Sequence, residues 1–132
     1  TFLGIWIRLV LEGQPFEVWN GNQMRDFTYV DDVVEAFLLA AASSKVNGEV
    51  FNLGGDCAIK LVELADLLIE LNGGGEYQIR EFPPDRKSID IGDYYADCGR
   101  IHAQLGWEPK VILREGLART LSFYREHLEH YL

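Results

Sequence analysis

No run of about 18 apolar residues crosses this chain, and no basic segment followed by a short apolar stretch and a small-residue cleavage site opens it, so neither a membrane span nor a secretion signal is written into it. Cysteine is scarce. Cys57 and Cys98 stand apart without C-x-x-C spacing, which predicts reduced thiols in a cytoplasmic protein rather than a disulfide framework, a single Cys57–Cys98 bridge being the open alternative. Positive charge is also short: 12 basic residues against 21 acidic ones give a net charge of -9, which argues against a nucleic-acid partner. His102, His127 and His130 lack the spacing of a metal set, and no G-x-S-x-G or Cys/His constellation points to a hydrolase.

What is present suffices for one ordinary core. With 132 residues, 48% of them hydrophobic and 12% aromatic, the chain reads as a single unit, 1–132. Phe2, Ile5, Trp6, Leu9 and Val10 recur at helical spacing, predicting an opening helix that Gly13 and Pro15 end. The chain begins directly on this helix, as a fragment would. Phe16 to Trp19 predicts a short strand, Asn20-Gly21 a turn, and Val50 to Leu53 a second strand closed by Gly54-Gly55. Leu61, Leu64, Ala65, Leu67, Leu68 and Leu71 mark a helix stopped at Gly73-Gly74-Gly75. Tyr77 to Phe82 alternates like a strand, 84–96 is a long charged loop, Asp97 is placed to cap a short helix that Gly106 closes, and 113–129 predicts the last helix.

Residues 23–32, Gln-Met-Arg-Asp-Phe-Thr-Tyr-Val-Asp-Asp, compress an arginine, an extended apolar segment and a helix start into ten positions. Phe27 to Val30 suits a strand, and Asp31 or Asp32 suits the cap of a helix over 32–44 whose apolar stripe, Val33, Val34, Ala36, Phe37, Leu38, Ala40 and Ala41, predicts a largely buried element. Arg25 then sits at the mouth of this unit. Its guanidinium offers the forked donors that suit a diphosphate; a loop arginine paired with Asp26 or Asp31 is the plainer reading.

The stretch resembles the corresponding segment of the extended short-chain dehydrogenase/reductases, the NAD-dependent epimerases and dehydratases of nucleotide sugars. Three further motifs follow in that family's order: Gly48-Glu49-Val50-Phe51-Asn52-Leu53-Gly54, the run from Asp97 to Leu105-Gly106-Trp107-Glu108-Pro109, and Glu115-Gly116-Leu117 with Thr120 and Tyr124. Two signatures of the family's chemistry are missing from the sequence. No G-x-G-x-x-G follows a strand, and no tyrosine has a lysine four positions on: Tyr29 meets Val33, Tyr94 meets Cys98 and Tyr124 meets Leu128. The resemblance therefore implies a small mixed α/β domain, the C-terminal part of such an enzyme without the main dinucleotide-binding Rossmann portion. NAD, the tyrosine base and the hydride chemistry of isomerase or lyase activity would lie in an N-terminal Rossmann domain, and this chain alone would bind no cofactor and be inactive.

The resemblance also implies site residues. Arg25 occupies the position that contacts the diphosphate of a UDP or dTDP sugar, with Asp26, Phe27 and Val30 around it. Arg86, or Lys87 one residue on, takes the place of a second phosphate-binding cation, and Tyr94 or Tyr95 that of an aromatic touching sugar or nucleotide; pairing of the cations with Asp85 or Asp90, and packing of the tyrosines, are the bland alternatives. Asp32 is expected as a structural cap and Trp107 as a packing residue, while Trp19, Phe27 and Val50 read as core residues first, with the border of a base pocket as the alternative. Two departures stand out. The turn reads Trp19-Asn20-Gly21-Asn22, and Ile59-Lys60 replaces the usual Ser/Thr helix cap, leaving Asp56 as the expected capping group. A non-catalytic or self-associating module is the competing reading, because Phe37, Leu38 and Val50 to Leu53 are apolar enough to predict a homodimer or an exposed patch.

Overall fold

The computed structural model describes residues 1–83 and 91–131. Its elements run α1 (Phe2–Leu11), β1 (Phe16–Trp19), β2 (Met24–Asp26), α2 (Val30–Ala42), β3 (Ala58–Lys60), α3 (Leu61–Asn72), β4 (Tyr77–Arg80), α4 (Gly99–Leu105) and α5 (Leu113–His127), with short 3₁₀ turns at Ser44–Val46 and Leu128–His130. β1 pairs with β4 in parallel, Phe16 opposite Tyr77 through Trp19 opposite Arg80. β2 pairs with β3 in antiparallel fashion, Arg25 opposite Ile59.

The main core forms where α1, β1, α3 and α5 present their apolar faces to one another. Trp6, Ile7 and Val10 meet Phe16 and Val18, and Leu64, Ala65 and Leu68 of α3 close against Leu117 and Leu121 of α5. A smaller cluster of Ala36, Ile101 and Trp107, flanked by Phe51 and Leu53, holds α2 and α4. Phe16, Val18, Leu64 and Leu68 are wholly enclosed, so each such side chain contributes about 1.5–3 kcal/mol of transfer free energy. The Asn20-Gly21 turn adopts left-handed backbone at both positions, φ 62° and 80°, as Asn and Gly permit.

Four expectations are corrected. The extended segment is Met24–Asp26, not Phe27 to Val30, and α2 begins at Val30. The cause is Gly55. A Cβ there would lie 2.2 Å from the Phe27 carbonyl oxygen, so at Phe27 the chain runs against the 54–56 backbone instead of a ladder partner. Val50 to Leu53 forms no strand among the described residues, yet keeps a strand's alternation: Phe51 and Leu53 turn inward, Val50 and Asn52 outward.

α2 is not largely buried. Only Asp32 and Ala36 are buried in it, while Val34, Phe37 and Leu38 are 48%, 70% and 65% exposed, because α2 packs on one side only. Finally, the aspartate caps expected for α2 and α3 are not made, whereas Asp97 accepts from the N–H of Gly99, first residue of α4, at 2.8 Å. The residue before α2 is Tyr29, with no side-chain cap, and the buried Asp32 carboxylate instead accepts from the Val111 N–H at 3.0 Å while its carbonyl accepts from Trp107 Nε1 at 2.9 Å. Asp56 likewise serves a different helix: it accepts from the N–H of Leu113, first residue of α5, at 3.0 Å, and Glu63 accepts from the Lys60 N–H at the start of α3.

Candidate functional site

The segment 91–96 is fastened along the outer edge of β2. Met24 N–H donates to Asp93 Oδ1 at 2.8 Å, Tyr94 N–H donates to the Met24 carbonyl at 3.0 Å, and Ala96 N–H donates to Asp26 Oδ2 at 2.9 Å. Arg25 thus lies between Ile59 on one side and Tyr94 on the other, the latter through an isolated parallel bridge. Its Nη1 donates to the Met24 carbonyl at 2.7 Å and to the Gly92 carbonyl, which fixes the plane of the guanidinium. Asp26 and Asp31 are engaged elsewhere, Asp26 with Ala96 and Asp31 with Arg119 at 3.6 Å.

Arg25 borders a cleft of about 720 Å³ whose wall also includes Phe2, Trp6, Trp19, Gln23 and Phe82. The volume lies within the range typical of small-molecule sites, about 300–1,000 Å³. Trp19 and Phe82 meet edge to face, centroids 5.5 Å apart, and Trp19 Nε1 donates to Glu17 at 3.3 Å. An apolar, aromatic trough with a guanidinium in its wall is chemically suited to a flat ring joined to an anion.

Of the residues singled out from sequence, Arg25 and Trp19 meet in this cleft. Tyr94 adjoins Arg25 through its backbone, its ring 54% exposed. Arg86 and Lys87 lie outside the described residues. Phe27 packs on the main core, Val50 is 75% exposed, and Trp107 is a core residue. Gln23 is the wall residue that sequence reasoning passed over; its place two positions before Arg25, on the same side of an extended segment, was the available signal.

Neither thiol is set up as a nucleophile. Burial pushes the Cys98 thiol up, opposed by a hydrogen bond with the Gly54 backbone and helped by the Asp26 and Asp97 carboxylates, and Cys57 is raised by burial and by Asp56. No group of three or more His, Cys, Asp or Glu able to hold a metal occurs among the described residues. None of the described helices is long and apolar enough to cross a membrane.

Comparison with known proteins gives the fold a family. Residues 1–54 match the NAD dependent epimerase/dehydratase family. The chain is 34% identical over 123 residues to dTDP-glucose 4,6-dehydratase of Haemophilus influenzae, a match covering 85% of this chain and 36% of that enzyme. Among solved structures, UDP-glucose 4-epimerase of Thermotoga maritima with UDP-glucose aligns at a TM-score of 0.80 and 32% identity, over 97% of this chain and 40% of that one. MoeE5, in complex with UDP-glucuronic acid and NAD, aligns at 0.84 and 31%, over 96% and 42%. The chain corresponds to the C-terminal part of the extended short-chain dehydrogenase/reductases, and more particularly of their nucleotide-sugar epimerases and dehydratases. It spans about two fifths or less of the length of these relatives.

The residues described do not fit a dinucleotide. Binding its pyrophosphate takes a glycine-rich turn between a strand and a helix N-terminus. Here β1 leads through Asn20-Gly21 to β2, β3 passes into α3 directly at Lys60-Leu61 without a glycine, and β4 leaves through Phe82-Pro83.

Proposed function

We propose that this chain is the substrate-binding side of an NAD-dependent nucleotide-sugar epimerase or dehydratase, and that it holds the nucleoside diphosphate of a UDP or dTDP sugar. One observation carries the reading: Arg25, oriented by the Met24 and Gly92 carbonyls, stands in the wall of an aromatic cleft. Its guanidinium would bind diphosphate oxygens, and the nucleoside would lie in the trough against Trp19 and Phe82. Tyr94, beside Arg25, would border the sugar side. Arg86 and Lys87, expected as further phosphate ligands, join this proposal on their sequence position alone. The relatives named for UDP-glucose, UDP-glucuronic acid and dTDP-glucose support the substrate class.

In this reading NAD and the catalytic tyrosine and lysine belong to an N-terminal Rossmann domain, and the 132 residues alone bind substrate without turning it over. The exposed Val34, Phe37, Leu38 and Val50 would lie under that domain. The free thiols fit a reducing cytoplasm. Calorimetric titration with UDP, whose heat should vanish in Arg25→Ala, tests the proposal; absence of heat at millimolar UDP would contradict it.

The same patch favours a second reading, a non-catalytic module that self-associates through α2. Light scattering separates the two, since a nucleotide-silent dimer would support only the second.

A further inference from the structure

Gln23 is 6% exposed, and its Oε1 is, among the described residues, the one buried side-chain oxygen or nitrogen without a hydrogen-bond partner. Native proteins pair nearly all such atoms, because a stranded acceptor loses its water and gains nothing in return. Its backbone is well used: the Gln23 carbonyl accepts from the Leu61 N–H at 3.1 Å, which ties it to the first residue of α3. The stem is fixed and the amide is left over, on the wall of the cleft that Arg25 also borders.

Resting on the nucleotide reading above, we infer that Gln23 determines nucleoside specificity in that cleft, its Oε1 accepting a hydrogen bond from the base imide N–H or from a ribose hydroxyl. A diphosphate is the wrong partner for this atom. Phosphate oxygens are acceptors, and an acceptor is completed only by a donor. Two positions separate Gln23 from Arg25 along an extended segment, so their side chains leave the same side about 7 Å apart. That offset carries a ligand from its diphosphate into its nucleoside, whose imide and hydroxyl groups are donors. The terminal torsion of a glutamine is soft, so the amide can turn toward the cleft without moving its stem.

The test is a titration of the whole chain with UDP, N3-methyl-UDP, 2′-deoxy-UDP and 3′-deoxy-UDP. The wild-type chain is expected to bind one of the three analogues about tenfold more weakly than UDP, the loss of one hydrogen bond, and that analogue tells imide from hydroxyl. Gln23→Met should bind UDP about tenfold more weakly and no longer discriminate, while Gln23→Glu, which keeps the shape and an acceptor, should still discriminate. If Gln23→Met does not fold, Gln23→Asn, which withdraws the acceptor by one methylene, takes its place in the comparison. A wild-type chain that binds all four alike, or a Gln23→Met or Gln23→Asn variant that discriminates as well as wild type, overturns the inference while leaving Arg25-dependent UDP binding intact. No UDP binding at all overturns both.

Discussion

Asp26 and Ala96, 70 positions apart in sequence, are joined by a carboxylate-to-amide hydrogen bond of 2.9 Å. This bond holds the 91–96 segment on β2 beside Arg25. Asp26→Ala leaves the Ala96 N–H without its acceptor, so the chain should lose about 1–2 kcal/mol in urea unfolding, and Asp26→Asn, which keeps an oxygen there, about half of that. The same substitution should weaken UDP binding, because the Gly92 carbonyl that orients Arg25 lies at the start of this segment.

Gly55 is expected to tolerate no side chain. An added Cβ would meet the Phe27 carbonyl at 2.2 Å, a backbone atom that cannot swing aside. Gly48, with φ 77° and nothing within 4 Å, is the control. Gly55→Ala should cost about 1–3 kcal/mol or more by overpacking, and Gly48→Ala about 1 kcal/mol of left-handed strain alone. Equal midpoints for the two variants in denaturant would contradict this.

At alkaline pH, Tyr77 should be a source of instability. Its hydroxyl donates to Asp66 at 2.7 Å, and this bond first, then burial and the Asp66 charge, hold its pKa above the ordinary tyrosine value. The neutral form is favoured in the folded chain, so its stabilisation is complete below the unfolded pKa of about 10 and is lost as pH rises through the folded one. Thermal melts from pH 9 to 11.5 should fall more steeply for wild type than for Tyr77→Phe.

Phe37→Glu on the exposed side of α2 should leave folding within about 0.5 kcal/mol, since the ring contributes little burial to the lone chain. Its effect is expected in association instead: light scattering should show less self-association, and a separately supplied N-terminal domain should dock less tightly.

Much of this arrangement was legible beforehand, and the exceptions have common physical causes. The helices at Phe2–Leu11, Leu61–Asn72 and Leu113–His127 follow their 3.6-residue apolar periods because each buries one face in the main core. Val50 to Leu53 has a strand's alternation and propensity, but a ladder needs a second backbone, which pattern alone does not supply. Asp32 and Asp56 have the chemistry of caps, yet they answer amides more than fifty positions away, and sequence proximity carries no information about such partners. The same limit hid Gln23. Arg25 drew notice through its neighbours in the sequence, whereas an unpaired acceptor is visible only once every potential partner has a position.

The central claim rests on Arg25 and is tested most directly by titrating UDP into wild type, Arg25→Lys and Arg25→Ala at two salt concentrations. The account predicts salt-sensitive binding that Arg25→Ala weakens about 10–100-fold and Arg25→Lys only partly restores, because a point charge replaces a fork. Binding of equal strength in wild type and Arg25→Ala would contradict it.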